Sequence, residues 1–324
     1  MLKAGLIGLG CMGPGHYFPY RGMSDVELVA VCDERYDLIK EKLTNFQSDS
    51  PLYADMEEMI KECRPDFIDI VTPTYTHADL AIKAMEMGCD VLCEKPMALS
   101  AEDCGRMIEA SERTGKRLMV AHVVRFMAPY MYLKSVIDSG KFGKLLRLSM
   151  RRISAIPRWS RDNWMMDFDK SGGVILDLSI HDIDFARYLF GDPKEFSSVY
   201  YTQKDETEYS SVDMIYDGFS VSCEGGWYKA YIPFTCGYTA IFEGGMVTAS
   251  GDDVFENGNK IELSPDMPEL SIGTPCDTLD GYAREIRYFV SKLESGEPFD
   301  AVTTDSSAGT VALCRKIIGE ARKI

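Results

Sequence analysis

Three short segments of the chain contain residues whose types and spacing could support chemistry. Residues 8–13 read Gly-Leu-Gly-Cys-Met-Gly, residues 94–96 read Glu-Lys-Pro, and residues 177–181 read Asp-Leu-Ser-Ile-His. The glycines leave backbone N–H groups open to a phosphate, the lysine offers a cation, and the last segment combines a carboxylate with an imidazole. Such a set could bind a dinucleotide and transfer a proton beside it.

The glycine-rich segment has the sequence context that a dinucleotide site requires. The apolar run 4–7 predicts a strand before it, and residues 14–23 predict a helix after it. Glycine allows a tight turn and lets the backbone approach a pyrophosphate, which the positive end of the helix dipole also attracts. We therefore predict dinucleotide binding, against the alternative of a plain strand–helix turn.

Asp33 is the predicted partner of an adenosine ribose. It lies 20 residues after Gly13 and directly follows the apolar run Val26–Cys32. A carboxylate at this point can accept hydrogen bonds from both ribose hydroxyls and repels a 2′-phosphate, so Asp33 favours NAD over NADP. Arg35 keeps NADP open as the second choice, because a nearby arginine could hold that phosphate.

Further polar groups follow the apolar run 67–71. Thr72 or Thr76 could face a nicotinamide ribose, or could cap the next predicted helix. His77 could contact the cofactor or be a surface histidine, and Glu94 could contact the cofactor or pair with Lys95. The residues predicted to bind the cofactor are Gly8, Leu9, Gly10, Cys11, Met12, Gly13, Asp33, Thr72, Pro73, His77, Glu94 and Lys95.

Lys95, Asp177 and His181 are the predicted catalytic residues. Lys95 follows an apolar run that predicts a buried strand, and ligands bind at the carboxyl ends of parallel strands. Lys95 could stabilise an oxyanion, although by itself it could also be a surface lysine. His181 could accept a hydroxyl proton with Asp177 as its orienting group, or it could be a partly buried structural histidine. Asp182 and Asp184 are predicted to be solvated or to cap the helix.

The pattern of apolar runs predicts an α/β protein of two domains. Short apolar runs alternate with amphipathic stretches over the first ~120 residues, which predicts a doubly wound parallel sheet in a domain of residues 1–122. Strand-like runs then follow one another with tight turns at residues 217–218 and 243–245, which predicts an α+β domain, residues 123–324, with a large open, mostly antiparallel sheet. Residues 251–275 are predicted to form a loop, and two helices end the chain.

Composition narrows the class of protein. The 324-residue chain is 45% hydrophobic and 27% charged, with a net charge of −16, so nucleic acid and anionic membranes are unfavourable partners. Its ten cysteines form no Cys-x-x-Cys pair, and its four histidines lack zinc spacing. No apolar run reaches the ~20 residues that a membrane span needs. We expect reduced cysteines, no metal and a cytoplasmic location.

Together these motifs resemble those of a known family. Residues 8–16 read Gly-Leu-Gly-Cys-Met-Gly-Pro-Gly-His, and residues 171–182 read Ser-Gly-Gly-Val-Ile-Leu-Asp-Leu-Ser-Ile-His-Asp. With residues 94–96 and the segment 124–126 (Val-Arg-Phe), which is followed by Pro129, they resemble the Gfo/Idh/MocA oxidoreductases, the family of glucose–fructose oxidoreductase and inositol dehydrogenase. The resemblance covers essentially the whole chain, and its motifs occur in the family's order.

The resemblance implies a Rossmann domain followed by a domain whose open sheet forms dimer or tetramer interfaces. It implies catalysis by Lys95, Asp177 and His181, with NAD as the cofactor and oxidation of a sugar or polyol at a ring hydroxyl. Two departures stand out, Val124 in place of an arginine and His122 in place of a small residue. The residues that we expect to contact the substrate are His122, Arg158, Trp159, Asn163 and Trp164.

Two other functions are compatible with the same resemblance. One is a non-catalytic regulator of the same fold that senses a dinucleotide or a sugar. The presence of Lys95, Asp177 and His181 speaks against it, as does the acidic charge if the regulator is to bind DNA. The other is an enzyme that keeps its cofactor bound and moves hydride internally.

Overall fold

The computed structural model describes residues 1–203 and 206–324, which form two compact units. The first unit contains Met1–Ala121 and Glu285–Ala308, and the second contains His122–Arg284 and Gly309–Ile324. The sequence predicts residues 123–324 as one domain, and the structure differs for residues 285–308, which belong to the first unit. Residues 285–308 therefore belong to the same compact unit as the amino-terminal residues 1–121.

The sheet of the first unit is parallel and has the strand order β3-β2-β1-β4-β5-β6. This is the order of the classic doubly wound dinucleotide fold, so the predicted Rossmann domain is confirmed. Its strands are β1 Leu2–Ile7, β2 Val26–Cys32, β3 Leu52–Tyr53, β4 Phe67–Ile70, β5 Asp90–Glu94 and β6 Leu118–Ala121. Its helices are α1 Gly13–Gly22, α2 Tyr36–Asn45, α3 Met56–Cys63, α4 His77–Glu86 and α5 Ala101–Thr114.

Local sequence signals explain where several of these helices begin. The Asp55 side chain accepts the Glu58 N–H at 2.9 Å, and the Ser100 hydroxyl accepts the Asp103 N–H at 3.0 Å. Each capping residue precedes an apolar helical pattern and is followed three positions later by an acidic residue, which is the sequence signature of a helix start. Gly115 ends α5 in the left-handed conformation.

Apolar packing holds residues 285–308 to the first unit. The ring of Phe289 lies 5.2 Å from that of Phe67 on β4 and 5.4 Å from that of Phe299. Arg117, which precedes β6, places its guanidinium 4.2 Å from the Phe299 ring. These contacts join residues far apart in the sequence, which is why periodicity alone assigns the segment to the wrong domain.

The second unit is built on a large mixed sheet, which confirms the predicted α+β architecture. In the described part of the chain its order is β14-β13-β12-β11-β7-β10-β9-β8-β15. The pairs β7–β10 and β8–β15 are parallel, and the other pairs are antiparallel. The strands are β7 Leu145–Ala155, β8 Glu195–Gln203, β9 Thr207–Ile215, β10 Ser220–Tyr228, β11 Thr235–Phe242, β12 Gly245–Ser250, β13 Asp253–Glu256, β14 Asn259–Ile261 and β15 Arg322–Lys323.

The remaining helices follow in chain order. They are α6 Ala128–Ser139, α7 Phe168–Ser171, α8 Ile180–Phe190, α9 Gly281–Ser295 and α10 Thr304–Glu320. A π-helical turn, Ile175–Ser179, leads directly into α8. The sequence predicts an uninterrupted helical segment here, because a π turn leaves the apolar pattern almost unchanged.

Residues 251–275 are not simply a loop, which corrects the sequence-based prediction. Strands β13 and β14 extend the sheet, and a short 3₁₀ turn, Pro268–Leu270, follows them. The strands have four and three residues, too few for an alternating pattern to emerge among the polar residues. Among the described residues, none of the helices is both long and apolar enough to cross a lipid bilayer.

Candidate active site

The glycine-rich turn connects β1 to α1. A side chain would be excluded at two of its three glycines by the protein itself, but not at the third. Gly8 has φ +90°, and a Cβ there would lie 2.4 Å from the Val71 carbonyl oxygen. A Cβ on Gly13 would lie 2.9 Å from the Gly8 oxygen. A Cβ on Gly10 would meet only the Arg35 guanidinium at 3.6 Å, an ordinary contact. The protein itself requires Gly8 and Gly13, whereas Gly10 leaves room for a ligand.

The start of α1 is suited to a phosphate. No side chain of the described chain caps the helix, and its first turn contains no acidic residue. Pro14 has no N–H and the Gly15 N–H donates to the Met12 carbonyl at 2.9 Å, so it is mainly the helix dipole that favours negative charge there. Together with the open side of Gly10, the turn fits the pyrophosphate of a dinucleotide.

Asp33 is already held by its neighbours. The Arg35 side chain donates to both carboxylate oxygens at 2.9 Å, and the Leu9 N–H donates to one of them at 3.1 Å. Burial alone would raise the pKa of Asp33, but the hydrogen bonds from Arg35 and Leu9 lower it below its usual value. A ribose hydroxyl bound here would share the Asp33 carboxylate with Arg35. The structure is therefore compatible both with a ribose on Asp33 and with a 2′-phosphate on Arg35.

Lys42 is a further contributor to the turn that sequence reasoning missed. Its ammonium, on α2, donates to the Leu9 carbonyl at 2.9 Å and to the Gly10 carbonyl at 2.7 Å. By holding these carbonyls, Lys42 fixes the orientation of the peptide groups in the turn. A lysine in an amphipathic helix gives no signal of such a contact.

His77 links two loops at the carboxyl ends of β4 and β5. It is 1% exposed, so the prediction that it could be a surface histidine is wrong. Nδ1 lies 2.8 Å from the Pro96 oxygen and Nε2 lies 2.9 Å from the Thr72 oxygen. Burial lowers the pKa of His77, and a neutral ring donates to one of these carbonyls. The Thr76 hydroxyl donates to the Pro73 carbonyl at 2.7 Å and does not cap α4.

Lys95 directly follows β5 and is half-buried. Only β4 lies between β5 and β1, so about 10 Å separates these strands at the usual spacing of about 4.8 Å. The Lys95 N–H donates to Glu94 Oε2 at 2.9 Å. The Glu94 carboxylate therefore contacts the Lys95 backbone, and Lys95 follows its strand at the same edge of the sheet where the glycine turn follows β1.

Behind Glu94 lies a buried polar cluster that the sequence analysis did not identify. His16, on α1, lies 2.9 Å from Asp69 Oδ2 through Nδ1 and 3.0 Å from Glu94 Oε1 through Nε2. The Tyr20 hydroxyl also donates to Asp69 Oδ2, at 2.7 Å. His16 and Asp69 are fully buried. In the sequence, His16 stands three residues after Gly13, but this spacing does not indicate which residues it contacts.

Asp177 and His181 lie in the second unit. Asp177 is on the π-helical turn and is buried, and His181 is half-buried in the first turn of α8. π-Helical turns inside helices are frequent at functional sites, because they move side chains away from the regular helical positions. Asp177 and His181 therefore both lie in helical backbone, on either side of the change from π-helical to α-helical geometry, and their placement on one face stays a prediction.

Glu208, on β9, supports the segment that carries Asp177. Its Oε1 accepts the Val174 N–H at 2.6 Å and also the Tyr200 hydroxyl. Gly173, with φ +72°, leaves room for this contact, since a Cβ there would lie 2.3 Å from Glu208 Oε1. Burial raises the pKa of Glu208, and the nearby Asp177 raises it further. Nothing in the sequence around residue 208 indicates this role.

His122 and the acidic run after His181 form buried ion pairs. Arg125 donates to both Asp184 oxygens, at 2.8 and 2.6 Å, and His122 Nδ1 lies 3.2 Å from Asp184 Oδ2. Burial would raise the pKa of Asp184, but Arg125 and His122 lower it. Asp182 pairs with Arg152 at 3.0 Å. The prediction that Asp182 and Asp184 are solvated or capping is therefore wrong, because both carboxylates hold buried arginines.

The predicted substrate residues of the second unit lie along one irregular segment. Arg158, Trp159 and Asn163 are exposed and Trp164 is half-buried around a 3₁₀ turn, Arg161–Met166. The backbone there turns sharply, since Asn163 has φ +53°. An exposed indole on a turn of this kind is available to a ligand, and the contact of these residues with a substrate stays a prediction.

Comparison with known sequences identifies the family. Residues 2–122 match the oxidoreductase family with an NAD-binding Rossmann fold, and residues 130–251 match the GFO/IDH/MocA C-terminal domain. The chain belongs to the Gfo/Idh/MocA oxidoreductase family. The resemblance seen in the sequence motifs is thereby confirmed, and with it the family's dinucleotide-binding fold in residues 2–122.

Individual relatives give more detail. An inositol 2-dehydrogenase of Salmonella paratyphi B is 31% identical over 207 residues, 63% of this chain and 59% of that protein. The match thus spans less than two thirds of the relative's length. A myo-inositol 2-dehydrogenase structure from Lactobacillus plantarum has a TM-score of 0.80 at 23% identity, over 99% of this chain and 97% of that one. A levoglucosan dehydrogenase, in complex with NADH and levoglucosan, has a TM-score of 0.82 at 20% identity, over 99% and 97%.

Proposed function

We propose that the protein is an NAD-dependent dehydrogenase that oxidises a ring CH–OH group of a sugar or polyol. The observation that carries the proposal is the position of Lys95, directly after β5 at the edge of the sheet where the glycine turn follows β1. Ligands of open α/β sheets bind at that edge. A lysine placed there can act on a substrate beside the dinucleotide.

The cofactor half of the site follows from the first unit. The turn of residues 8–13 and the start of α1 hold the pyrophosphate, and Asp33 accepts the adenosine ribose hydroxyls beside Arg35. Thr72 and Pro73 extend this half toward the nicotinamide end, and His77 supports them from its buried position. When bound, the nicotinamide supplies the hydride acceptor, and NADP is the second choice because of Arg35.

The proton chemistry is assigned to three side chains. Lys95 donates a hydrogen bond to the substrate hydroxyl and stabilises the negative charge that develops on its oxygen. His181 accepts the hydroxyl proton, because an imidazole titrates near neutral pH. Asp177 orients His181 or the hydroxyl, and Glu208 fixes the helical segment that bears both residues.

The substrate class rests on the relatives and on the polar and aromatic residues of the second unit. The relatives are described as acting on inositol or as binding levoglucosan, which are both polyhydroxylated rings. Trp159 and Trp164 offer aromatic faces for the C–H side of such a ring, while Arg158 and Asn163 offer donors for its hydroxyls. His122 is the remaining candidate, acting from its buried position beside Asp184.

The proposal extends to the setting of the enzyme. We propose a cytoplasmic homodimer or homotetramer that associates through the open face of the second unit's sheet. Its partner is then a small-molecule substrate rather than a nucleic acid or a membrane, in keeping with the net charge of −16. Sedimentation of the purified protein tests the assembly, and a monomer at micromolar concentration contradicts it.

The test is a panel of inositols, aldoses and glycosides, assayed with NAD and with NADP by the absorbance of the reduced nicotinamide. We expect turnover of at least one ring polyol, faster with NAD. Lys95→Ala and His181→Ala should each lower kcat by about 10²–10⁴-fold, the usual loss for a proton-transfer group, while NADH still binds. Binding of NADH and sugar without turnover of any compound would instead indicate a sensor.

A further inference from the structure

The buried histidine of α1 connects the glycine turn to the catalytic lysine. His16 lies on the helix that begins at the turn, and its two partners belong to two strands, Asp69 to β4 and Glu94 to β5. His16 and Asp69 are fully buried, and Glu94 is 6% exposed. A buried group with two carboxylate neighbours is costly to build, so a purely space-filling role does not account for it.

The geometry requires both ring nitrogens of His16 to donate. Nδ1 and Nε2 each lie within 3.0 Å of a carboxylate oxygen, and only the imidazolium has an N–H on both nitrogens. The electrostatics agree with this, since burial would lower the pKa of His16 but Asp69 and Glu94 raise it well above its usual value. His16 is therefore a cation between two carboxylates.

Glu94 transmits this contact to the lysine. Its Oε1 accepts from His16, and its Oε2 accepts the backbone N–H of Lys95 at 2.9 Å. Both oxygens of the carboxylate are thus occupied, one toward α1 and one toward the catalytic residue. The Glu94 carboxylate can rotate only by breaking one of these two bonds.

We propose that His16 is a positioning residue that holds Glu94, and through it Lys95, at a fixed place relative to the dinucleotide turn. The inference rests on the proposed function in one respect, the role of Lys95 in turnover. His16 touches neither substrate nor the reacting atoms in this account. Its effect is exerted through two hydrogen bonds in series, so a small rotation of Glu94 moves the lysine.

Two conservative substitutions separate the two bonds of His16. The amide nitrogen of asparagine is as far from Cβ as Nδ1, so His16→Asn can still donate to Asp69 but not to Glu94. The amide nitrogen of glutamine is as far from Cβ as Nε2, so His16→Gln can still donate to Glu94. Asp69 keeps its Tyr20 donor in both variants. Both variants lose the positive charge equally, so charge alone cannot distinguish them.

We expect His16→Asn to lose about 10²-fold in kcat, the size of loss that a displacement of about 1 Å can cause. His16→Gln should stay within about tenfold of wild type, and the Kd for NADH should change little in either. Equal losses in the two variants, the reverse order, or wild-type kcat in His16→Asn would overturn the inference. If neither variant folds, Glu94→Gln with His16 intact replaces them, with the same expected loss and with wild-type kcat as the contrary result.

Lys95→Ala, measured beside these variants, separates the inference from the proposed function. Full turnover in Lys95→Ala refutes the catalytic role of the lysine and the proposed function with it. Loss of turnover in Lys95→Ala combined with wild-type kcat in His16→Asn refutes only the positioning role of His16. Loss of turnover in Lys95→Ala and in His16→Asn, with kcat near wild type in His16→Gln, supports both the proposed function and the positioning role of His16.

Discussion

The candidate residues of the two units are held in different ways. In the first unit the candidate groups are mainly backbone atoms of the glycine turn, which the side chains of Lys42 and Asp33 contact directly. In the second unit they are side chains on a π-helical turn and α8, held by Glu208 from a distant strand. A backbone site depends on glycine and on helix geometry, whereas a side-chain site depends on partners that are remote in sequence.

This difference explains what the sequence could predict. The parallel sheet, and the positions of the glycine turn, Asp33 and Lys95 at its strand ends, could be predicted, because they depend on short spacings and on period-two or helical patterns. His16, Lys42 and Glu208 were missed, since their roles arise from contacts across 78, 33 and 34 positions. Asp182 and Asp184 were misassigned for the same reason, since the arginines that bury them lie on β7 and before α6.

The largest expected effect separates two glycines of the same turn. Gly8→Ala should destabilise the protein by about 4 kcal/mol, because it combines an unfavourable φ with a backbone clash. Gly10→Ala is the matched control: its free energy of unfolding should change by less than about 0.5 kcal/mol while NADH binding weakens about tenfold or more. Urea unfolding and NADH titration check both. Similar stabilities of the two variants would contradict the division of roles among the glycines.

In the second unit the largest effect should come from a buried carboxylate. Asp184→Asn leaves the Arg125 guanidinium buried without its counter-charge, which should cost about 3 kcal/mol of unfolding free energy. Asp192→Asn is the control, because its salt bridge to Arg187 is largely exposed on the aspartate side and should contribute less than about 1 kcal/mol. Equal effects of the two substitutions in urea unfolding would show that the buried Asp184 cluster does not stabilise the fold more than an exposed salt bridge.

The cofactor preference should respond to the Asp33–Arg35 pair. Arg35→Ala frees the Asp33 carboxylate and should shift the ratio of kcat/KM for NAD over NADP about tenfold toward NAD, since a hydrogen bond to a charged group contributes about 1.5–3 kcal/mol. Asp33→Ala should shift it toward NADP by releasing Arg35. An unchanged ratio in both variants would remove this pair from the cofactor site.

The smallest expected effect is a difference in pH dependence between the two units. The pKa of Glu208 is raised by burial, so the unfolding free energy decreases as pH rises above about 4.3, and Glu208→Gln should flatten this part of the curve. Asp69 and Glu94 raise the pKa of His16, so its contribution is complete below about pH 6.5 and declines at higher pH. His16→Gln should flatten that alkaline part. Curves parallel to that of the wild type would contradict the assignment.

The central proposal is that Lys95 and His181 act on the same substrate hydroxyl. A double-mutant cycle of kcat/KM with Lys95→Ala, His181→Ala and the combined variant measures this directly, on the best substrate of the panel. We predict that the combined variant is no more than about tenfold slower than the slower single variant, because either loss already disables the shared proton transfer. Losses that multiply fully, or turnover near wild type in a single variant, would contradict the account.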